Sequence, residues 1–507
     1  MQRILPSGVR WDNCAMPTKT PELLAPAGSL SMLETAFAFG ATAVYAGQPR
    51  YSLRVRNNDF GDLATLKQGI DTAHRLGNKF YLVSNIYPHD NKLKSYVNNM
   101  NPVIALKPDA MIMSDPGLIM MAREAWPDME IHLSVQANTV NSAAVKFWKS
   151  VGIARVILSR ELSLDQVAQI RQECPDTELE VFVHGALCIA YSGRCLLSGY
   201  FNHRDANQGS CTNSCRWDYK TLQGVEDASG DILTPAAARA REQGLPLPAG
   251  EGVPAMPSSG GGCGSGGCGS GGCGTSAGND LSAHPSGTYL IEESQRPGSY
   301  MPIEEDEHGT YVMNSKDLRA IEHVKRLVDI GIDSLKIEGR TKSPYYVCRT
   351  AQAYRKAIDD AVAGREFSPE LLGQLEGLAN RGYTSGFFQR HTPEETQNYL
   401  RGYSESGRSL YVGDAVAFDA VRGMVQVNAR NKFSVGDTLE IIHPTGNFDV
   451  QVARMQNADG EAVQSALGSG HTVWIDLPQA AVGAFVARYL HGAEQATPVP
   501  LADLVAG

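Results

Sequence analysis

Short apolar runs recur along this sequence at intervals of roughly twenty residues, and they limit its fold more than any other pattern. Amphipathic segments long enough to form helices separate them, as is typical of a parallel sheet covered on both faces. The runs are ELLAPAG (from residue 22), AVYAGQ (43), KFYLVSN (79), AMIMSD (110), IHLSVQ (131), RVILSRE (155), EVFVHG (180) and DSLKIEG (333). Eight strand–helix units would close a barrel, so we expect an α/β fold with a TIM-like (β/α)8 barrel. TYVMNS (310) is a ninth candidate strand, and a doubly wound open sheet is the alternative.

Several of these runs end in a polar or charged residue. In a closed parallel barrel the carboxyl ends of all strands face one mouth, where active sites form. Any one such residue is more often a cap than a catalyst, but together they predict a polar mouth. The residues are Asn85, Asp115, Gln136, Arg160, Glu161, His184, Glu338 and Arg340.

Four cysteines follow the seventh run closely, at Cys188, Cys195, Cys211 and Cys215. Soft thiolate ligands select zinc, copper(I) or iron–sulfur clusters. A structural zinc site usually presents two tight Cys-x2–4-Cys pairs, and only the second pair here is that tight. The spacing favours an iron–sulfur cluster at the mouth of an enzyme, with zinc or no metal as the alternatives.

The composition is that of a globular protein of two or three domains, with 507 residues, 42% hydrophobic and 20% charged. The amino terminus has no apolar run typical of a signal peptide, and no window approaches a membrane span, so we expect a cytoplasmic protein without membrane contact. Ten cysteines in such a chain indicate ligands or catalysis rather than disulfides. Because the net charge is −10, any RNA contact must come from local basic patches.

Changes in composition suggest domain boundaries. We expect an extension over residues 1–20, the barrel domain over 21–390, a small antiparallel β-barrel over 391–490 and a tail over 491–507. Residues 227–288, rich in Ala, Gly, Pro and Ser, read as a flexible insertion. It contains Cys263, Cys268 and Cys273, so a tract that delivers metal or sulfur is the alternative. The C-terminal module could dock substrate or RNA, or serve as a structural cap.

Two basic stretches are candidate binding surfaces. Residues 336–356, KIEGRTKSPYYVCRTAQAYRK, interleave basic residues with tyrosines, which suits an RNA backbone and stacked bases. The alternative is a solvated helix whose tyrosines face the core. In QPRYSLRVRNN, Arg50, Arg54 and Arg56 could bind a dicarboxylate, because arginine pairs with carboxylates in bidentate fashion, or they could be ordinary surface residues. The sequence lacks HExxH and Walker A motifs. Its GxSxG match (GTSAG, 274–278) and its GxGxxG matches all fall in the Gly-rich insertion, without the strand and helix that those motifs require.

The cysteine segment resembles the signature of peptidase U family 32, the collagenase-like protease family. The resemblance lies in EVF (180–182), GALC (185–188), GRC (193–195) and LS (197–198). It continues in PELLAPAGSL, AVYAGQPRYSLRVRNN, IHLSVQANTVN, MNSKDLRAI, SLKIEGRTKS and RGYTSGF, from residue 20 to about residue 490. Within the family, the chain is most similar to members that convert the wobble uridine of tRNA to 5-hydroxyuridine.

That resemblance implies a tRNA uridine hydroxylase that acts on the anticodon loop, uses prephenate as co-substrate and depends on the iron–sulfur assembly machinery. Relatives that act in oxygen-independent hydroxylation during ubiquinone synthesis carry a [4Fe–4S] cluster. By position, Cys188, Cys195 and Cys211 match the family's cluster ligands. Cys215 is the natural fourth ligand, because the downstream position used by some relatives holds Leu318 and Arg319 here.

Position and chemical type suggest roles for the remaining candidates. Prephenate carboxylates or tRNA phosphate would bind to arginines near strand ends, namely Arg50, Arg54, Arg160 and Arg340. Proton transfer would fall to His184, Lys336 and Glu338. A collagenase-like peptidase and a non-catalytic protein that binds tRNA or carries a cluster are the alternative functions.

Overall fold

A computed structural model describes residues 19–47, 50–52, 58–186, 190–191, 194–195, 219–223, 225–226, 232–235, 237, 288–293, 300–306, 309–312, 317–378, 383–389, 409–468 and 470–489. Its contacts divide the chain into two compact units. The first contains the described parts of 1–184, 320–375 and 387–390, and the second contains those of 185–319, 376–386 and 391–507.

Eight parallel strands form a closed barrel. They are β1 (Glu22–Pro26), β2 (Ala43–Gly47), β3 (Lys79–Ser84), β4 (Ala110–Met113), β5 (Ile131–Leu133), β6 (Arg155–Ile157), β7 (Glu178–Ala186) and β8 (Ser334–Ile337). Each strand pairs with the next, and β8 pairs with both β7 and β1, which closes the sheet. The predicted TIM-like barrel is therefore confirmed, and the open-sheet alternative is wrong.

Helices cover the barrel between its strands. They are α1 (Leu30–Ala38), α2 (Leu63–Arg75), α3 (Asp90–Leu93), α4 (Tyr96–Ile104), α5 (Pro116–Ala125), α6 (Ser142–Ser150), α7 (Leu164–Glu173), α8 (Val324–Ile330), α9 (Pro344–Val362) and α10 (Glu370–Glu376), with 3-10 turns at Val135–Ala137 and Ile321–His323. Polar caps begin many of them; Ser163 and Gln166 form a capping box on α7. Asp115, one of the predicted mouth residues, accepts the Leu118 amide at 2.8 Å and so caps α5.

The barrel strands are buried on both faces, because helices cover them outside and side chains fill them inside. Leu23, Leu24, Val44, Phe80 and Met111 have no exposed surface. None of the helices in the described part of the chain is long and apolar enough to cross a bilayer.

The second unit contains an antiparallel sheet formed from residues on both sides of the Gly-rich tract. Its strands are Tyr219–Gln223, Thr288–Glu293, Tyr300–Asp306 and Gly309–Val312. The ninth candidate strand belongs to this sheet, so the barrel has eight strands. Shorter pairs join Ala190–Tyr191 to Arg194–Cys195, Val225–Glu226 to Ile232–Leu233 and Asp317–Arg319 to Tyr383–Thr384. Cys263, Cys268 and Cys273 lie outside the described residues.

The C-terminal part of the chain forms a separate antiparallel sheet, as the evenly spaced short runs predict. In order across the sheet, its strands are Phe448–Gln451, Thr438–Ile442, Phe485–Tyr489, Ser409–Asp419, Met424–Ala429, Thr472–Ile475 and Met455–Gln456. A pair between Phe433–Ser434 and Ser465–Ala466 and a 3-10 turn at Gln479–Ala481 complete it. One core contains the inward side chains of these strands, among them Val412, Val425, Leu439 and Ile475.

Candidate active site at the barrel mouth

The barrel interior contains a buried network of charged side chains. Lys336 on β8 donates to Glu180 on β7, with 2.8 Å between Nζ and Oε1. Nη1 of Arg155 donates to Glu180 Oε2 at 3.2 Å and to Glu22 Oε1 at 2.6 Å. Tyr81 on β3 donates to the other Glu22 oxygen at 2.6 Å. Because Lys336, Glu180 and Arg155 are at most 2% exposed, each charge is stabilised by an opposite charge and not by water.

This environment shifts the ionisation of the central pair. Burial lowers the pKa of Lys336, and the carboxylate of Glu180 opposes that shift. Burial alone would raise the pKa of Glu180, but Lys336 and Arg155 together outweigh it and hold that pKa below its usual value. The Nζ atom of Lys336 also lies 4.5 Å from the centroid of the Tyr45 ring and 5.4 Å from that of Phe182. The lysine predicted to transfer protons is therefore ion-paired inside the barrel and enclosed by aromatic rings.

Nearer the mouth, a second pair joins the ends of β6 and β8. Nη2 of Arg160 lies 3.5 Å from Oε2 of Glu338. The guanidinium of Arg160 also stacks over Phe182, with its Cζ 3.8 Å from the ring centroid. The two charged side chains are 13% and 16% exposed, so a ligand at the mouth can reach them. An arginine and a carboxylate in this position can bind an anionic group and accept a proton.

Arg340 reaches the opposite side of the mouth. Its Nη1 donates to Oγ of Ser52 at 2.8 Å, and its Cζ lies 5.6 Å from the centroid of the Tyr45 ring. A β-carbon on Gly47, the last residue of β2, would lie 2.7 Å from that Nη1 and 2.5 Å from the Ser52 hydroxyl. Glycine therefore makes room for the guanidinium group. Ser52 was not predicted, because a serine in a loop gives no sequence signal.

His184 lies near the end of β7 and is 1% exposed. Its Nδ1 is 3.4 Å from the hydroxyl of Tyr354 on α9, which itself donates to the carbonyl of Val183 at 2.6 Å. Tyr346, whose ring centroid is 5.8 Å from that of His184, donates to the backbone oxygen of Glu338 at 2.7 Å. The tyrosines of α9 thus fix the ends of β7 and β8 in place.

The same tyrosines decide the interpretation of residues 336–356. Tyr345, Tyr346 and Tyr354 are 5%, 6% and 0% exposed, so they cannot stack on RNA bases. The interpretation of this stretch as an RNA-stacking surface is wrong, and the alternative, a helix with its tyrosines toward the core, is confirmed. Tyr346 and Tyr354, eight residues apart, can share one face of a helix, and such spacing indicates packing as readily as binding.

An uncharged group lies at the ends of β3, β4 and β5. Oε1 of Gln136 accepts from Asn85 Nδ2 at 2.5 Å, from Ser114 Oγ at 3.0 Å and from Ser134 Oγ at 3.3 Å. The hydroxyl of Tyr87 donates to the backbone oxygen of Gln136 at 3.1 Å. We call these five residues the amide cluster. It brings together two of the predicted strand-end residues, Asn85 and Gln136, and adds neutral hydrogen-bonding groups to the charged ones.

The other candidates are placed less fully. Arg50 is exposed, with its Cζ 5.9 Å from the Tyr51 ring centroid. Arg54, Arg56, Cys188, Cys211 and Cys215 lie outside the described residues, and Cys195 is described only as part of the strand Arg194–Cys195. Among the described residues, no group of three or more His, Cys, Asp or Glu side chains is placed to hold a metal ion.

The thiols fit an iron–sulfur cluster by the chemistry of the donor set, because four soft sulfur ligands meet its usual requirement. In the sequence, Cys188 comes two residues after Ala186, the last residue of β7. The donor set suits a cluster, and its ligation by these four cysteines is a prediction.

The chain thus combines a TIM-like barrel, with ionisable groups at its carboxyl mouth, and a C-terminal antiparallel sheet. The chain belongs to Peptidase family U32, whose sequence profile matches residues 28–398, and the profile of the Peptidase family U32 C-terminal domain matches residues 408–488. The family predicted from the cysteine segment is thus confirmed.

Its relatives include proteins named tRNA hydroxylation protein P from several bacteria. The one from Escherichia coli K12 is 54% identical over 459 residues, covering 90% of this chain and 94% of the relative. The one from Haemophilus influenzae is 54% identical over 461 residues, with the same shares covered. A more distant relative from Porphyromonas gingivalis, named Collagenase, is 25% identical over 88% of this chain and 92% of its own length.

Proposed function

We propose that this protein is a tRNA-modifying enzyme that hydroxylates C5 of the wobble uridine. The observation that carries the proposal is the 54% identity to tRNA hydroxylation protein P, which extends over 90% of the chain. The wobble base lies in a single-stranded loop, where it can be turned out and bound by its edges. The barrel mouth, with both charged and neutral polar groups, is the proposed place of reaction.

Replacing the C5 hydrogen with a hydroxyl group is a two-electron oxidation that also needs an oxygen donor, and ordinary side chains supply neither the electron acceptor nor the oxygen atom. We therefore propose an iron–sulfur cluster held by Cys188, Cys195, Cys211 and Cys215, which when bound would supply electron transfer. Prephenate is the proposed co-substrate. Arg160 and Arg340 are suited to its carboxylates, because guanidinium groups bind carboxylates in bidentate fashion and both lie at the mouth.

Glu338 is the proposed group that accepts the proton from C5. It is partly exposed at the mouth, and its pairing with Arg160 at 3.5 Å keeps a positive charge beside the reacting base. Lys336 is placed less well for this task, because it lies inside the barrel against Glu180. We assign it to positioning, through β8, the residues that follow it.

Complementation tests the proposal. A deletion strain would receive the wild-type gene, Cys195→Ala or Glu338→Gln, and the wobble nucleosides of its tRNA would be measured by mass spectrometry. Wild type should restore 5-hydroxyuridine, and both variants should fail. Protein purified without air should contain iron and sulfide in the wild type and in Glu338→Gln, but not in Cys195→Ala. Full activity in a wild-type protein without iron or sulfide would refute the cluster.

A peptidase is the second candidate, supported by the similarity to the Porphyromonas gingivalis collagenase. Incubating anaerobically purified protein with denatured collagen would test it. Cleavage blocked by one class of protease inhibitor, and kept in Glu338→Gln, would favour the peptidase over the hydroxylase.

A further inference from the structure

The oxygen and the nitrogen of the Gln136 side-chain amide differ in how fully they are hydrogen-bonded. The oxygen accepts three hydrogen bonds, from Asn85, Ser114 and Ser134, although it has only two lone pairs to accept with. Ser134 also accepts from the Gln136 backbone amide at 3.5 Å, so its own proton is free for this bond. Within the described part of the chain, nothing accepts from the Gln136 Nε2 group. The amide is thus held in one orientation, with two donors unused on a partly exposed residue.

Tyr87 contacts the backbone of the same residue. Its hydroxyl donates to the Gln136 backbone oxygen at 3.1 Å, and the residue is 52% exposed. Burial raises the pKa of the phenol, with the charge of Asp115 adding to the effect, so it stays protonated and neutral. An exposed aromatic ring and a hydrogen-bond donor on two contacting residues can bind an unstacked base, with the ring on its face and the donor at its edge.

We infer that Tyr87 and Gln136 form a binding site for the uracil ring, in which Tyr87 stacks on the base and Gln136 Nε2 donates to its O4 carbonyl. This inference rests on the proposed function and adds the means of base selection. Cytosine carries an amino group where uracil has O4, and that group is a donor. Because the Gln136 oxygen already accepts three hydrogen bonds, turning the amide to accept from cytosine would require Asn85 to turn with it and both serine hydroxyls to become acceptors. The site therefore selects uracil.

The absence of charge in the amide cluster supports a neutral ligand. Uracil carries no charge, whereas carboxylates and phosphates suit the arginines that follow β6 and β8. The mouth thus differs from side to side. Neutral donors lie at the ends of β3 to β5, where the helix-capping Asp115 is the nearby charge among the predicted mouth residues, and paired charged groups lie at the ends of β6 and β8.

Gln136→Glu tests the inference without a loss of packing. A glutamate has the same shape, and its carboxylate can accept from Asn85, Ser114 and Ser134 as the amide oxygen does. The only function removed is the donor group, which becomes an acceptor. Gln169→Glu on α7 is the matched control, because it makes the same change of charge on an exposed outer helix.

The assay is binding of full-length, anaerobically purified protein to anticodon stem–loop RNA with U or C at the wobble position. Wild type should prefer U, and Gln136→Glu should reduce the U-to-C affinity ratio about tenfold or invert it. Gln169→Glu should leave the ratio unchanged. Tyr87→Ala should weaken the binding of both RNAs about tenfold, whereas Tyr87→Phe, which keeps the ring, should leave binding unchanged.

The outcomes separate this inference from the proposed function. If wild type hydroxylates tRNA but Gln136→Glu keeps the full preference for U, the Gln136 assignment is wrong and the function stands. Equal binding of U and C by an active wild type also overturns the assignment. If wild type neither binds the stem–loops nor hydroxylates tRNA, both proposals fail together.

Discussion

Replacing Lys336 with methionine should destabilise the barrel strongly, because it leaves the Glu180 carboxylate buried without its nearest partner. Removing one member of a buried ion pair typically costs about 3–5 kcal/mol. Arg155 remains 3.2 Å from the other oxygen of Glu180, so we expect the lower end, about 3 kcal/mol. For a unit of this size that corresponds to a fall in Tm of roughly 6–12 °C. Scanning calorimetry of the full chain would measure it.

Lys67→Met is the matched control. Lys67 forms a salt bridge with Asp71 on the surface of α2, where both side chains are 58% exposed. Removing an exposed pair should cost no more than about 0.5 kcal/mol. The reasoning would be refuted if Lys336→Met lowered Tm no more than Lys67→Met does. Adding Glu180→Gln to Lys336→Met should recover most of the loss, since no unpaired charge of that pair then remains buried.

The pH dependence of this effect has a definite sign. The pKa of Glu180 in the folded protein lies below its ordinary value of 4.5, mainly because Lys336 and Arg155 outweigh burial. Such a group contributes stability above its unfolded pKa and loses it as the pH falls through the folded pKa. The difference in Tm between wild type and Lys336→Met should therefore be full at pH 7 and shrink below about pH 4.5. A difference that grew on acidification would contradict the assignment.

Three further substitutions test other parts of the barrel. Gly47→Ala should displace Arg340, because the new carbon would lie 2.7 Å from its Nη1, and it should raise KM for an anionic co-substrate about tenfold in a steady-state assay. Asp115→Ala should cost about 1 kcal/mol, seen as a lower Tm, because the Leu118 amide loses its cap. Tyr354→Phe should cost about 1–3 kcal/mol in the same measurement, since its hydroxyl donates to Val183 and accepts from the Ala320 amide.

The barrel was predictable from sequence because its signal is repeated. Each apolar run is weak evidence alone, but eight of them at similar intervals with helix-like segments between are typical of one architecture. The ninth run, at residue 310, shows the limit of this reasoning. Its composition is that of a strand, and it forms one, but its partners lie in an antiparallel sheet that periodicity cannot assign.

The candidate site was predictable only in part. Strand-end position correctly placed Arg160 and Glu338 together, because carboxyl ends of parallel strands meet at one mouth. The same rule also selected Asp115, which caps a helix. It could not show that Lys336 lies inside the barrel and not at the mouth. The buried network was missed, since Glu180 stands inside an apolar run and its partners are distant in sequence.

The path of β8 explains how one segment supplies groups to both the interior and the mouth. Lys336 is fixed inside the barrel by Glu180 on β7, and this anchors the residues that follow it. Gly339 then adopts a φ of 149°, a conformation that glycine adopts readily, in a place where a β-carbon would lie 2.6 Å from the Tyr346 ring. Through that turn Glu338 reaches Arg160 on one side and Arg340 reaches Ser52 on the other. The buried ion pair therefore stabilises the geometry of the mouth, so a change at Lys336 or Glu180 should act on the site through β8.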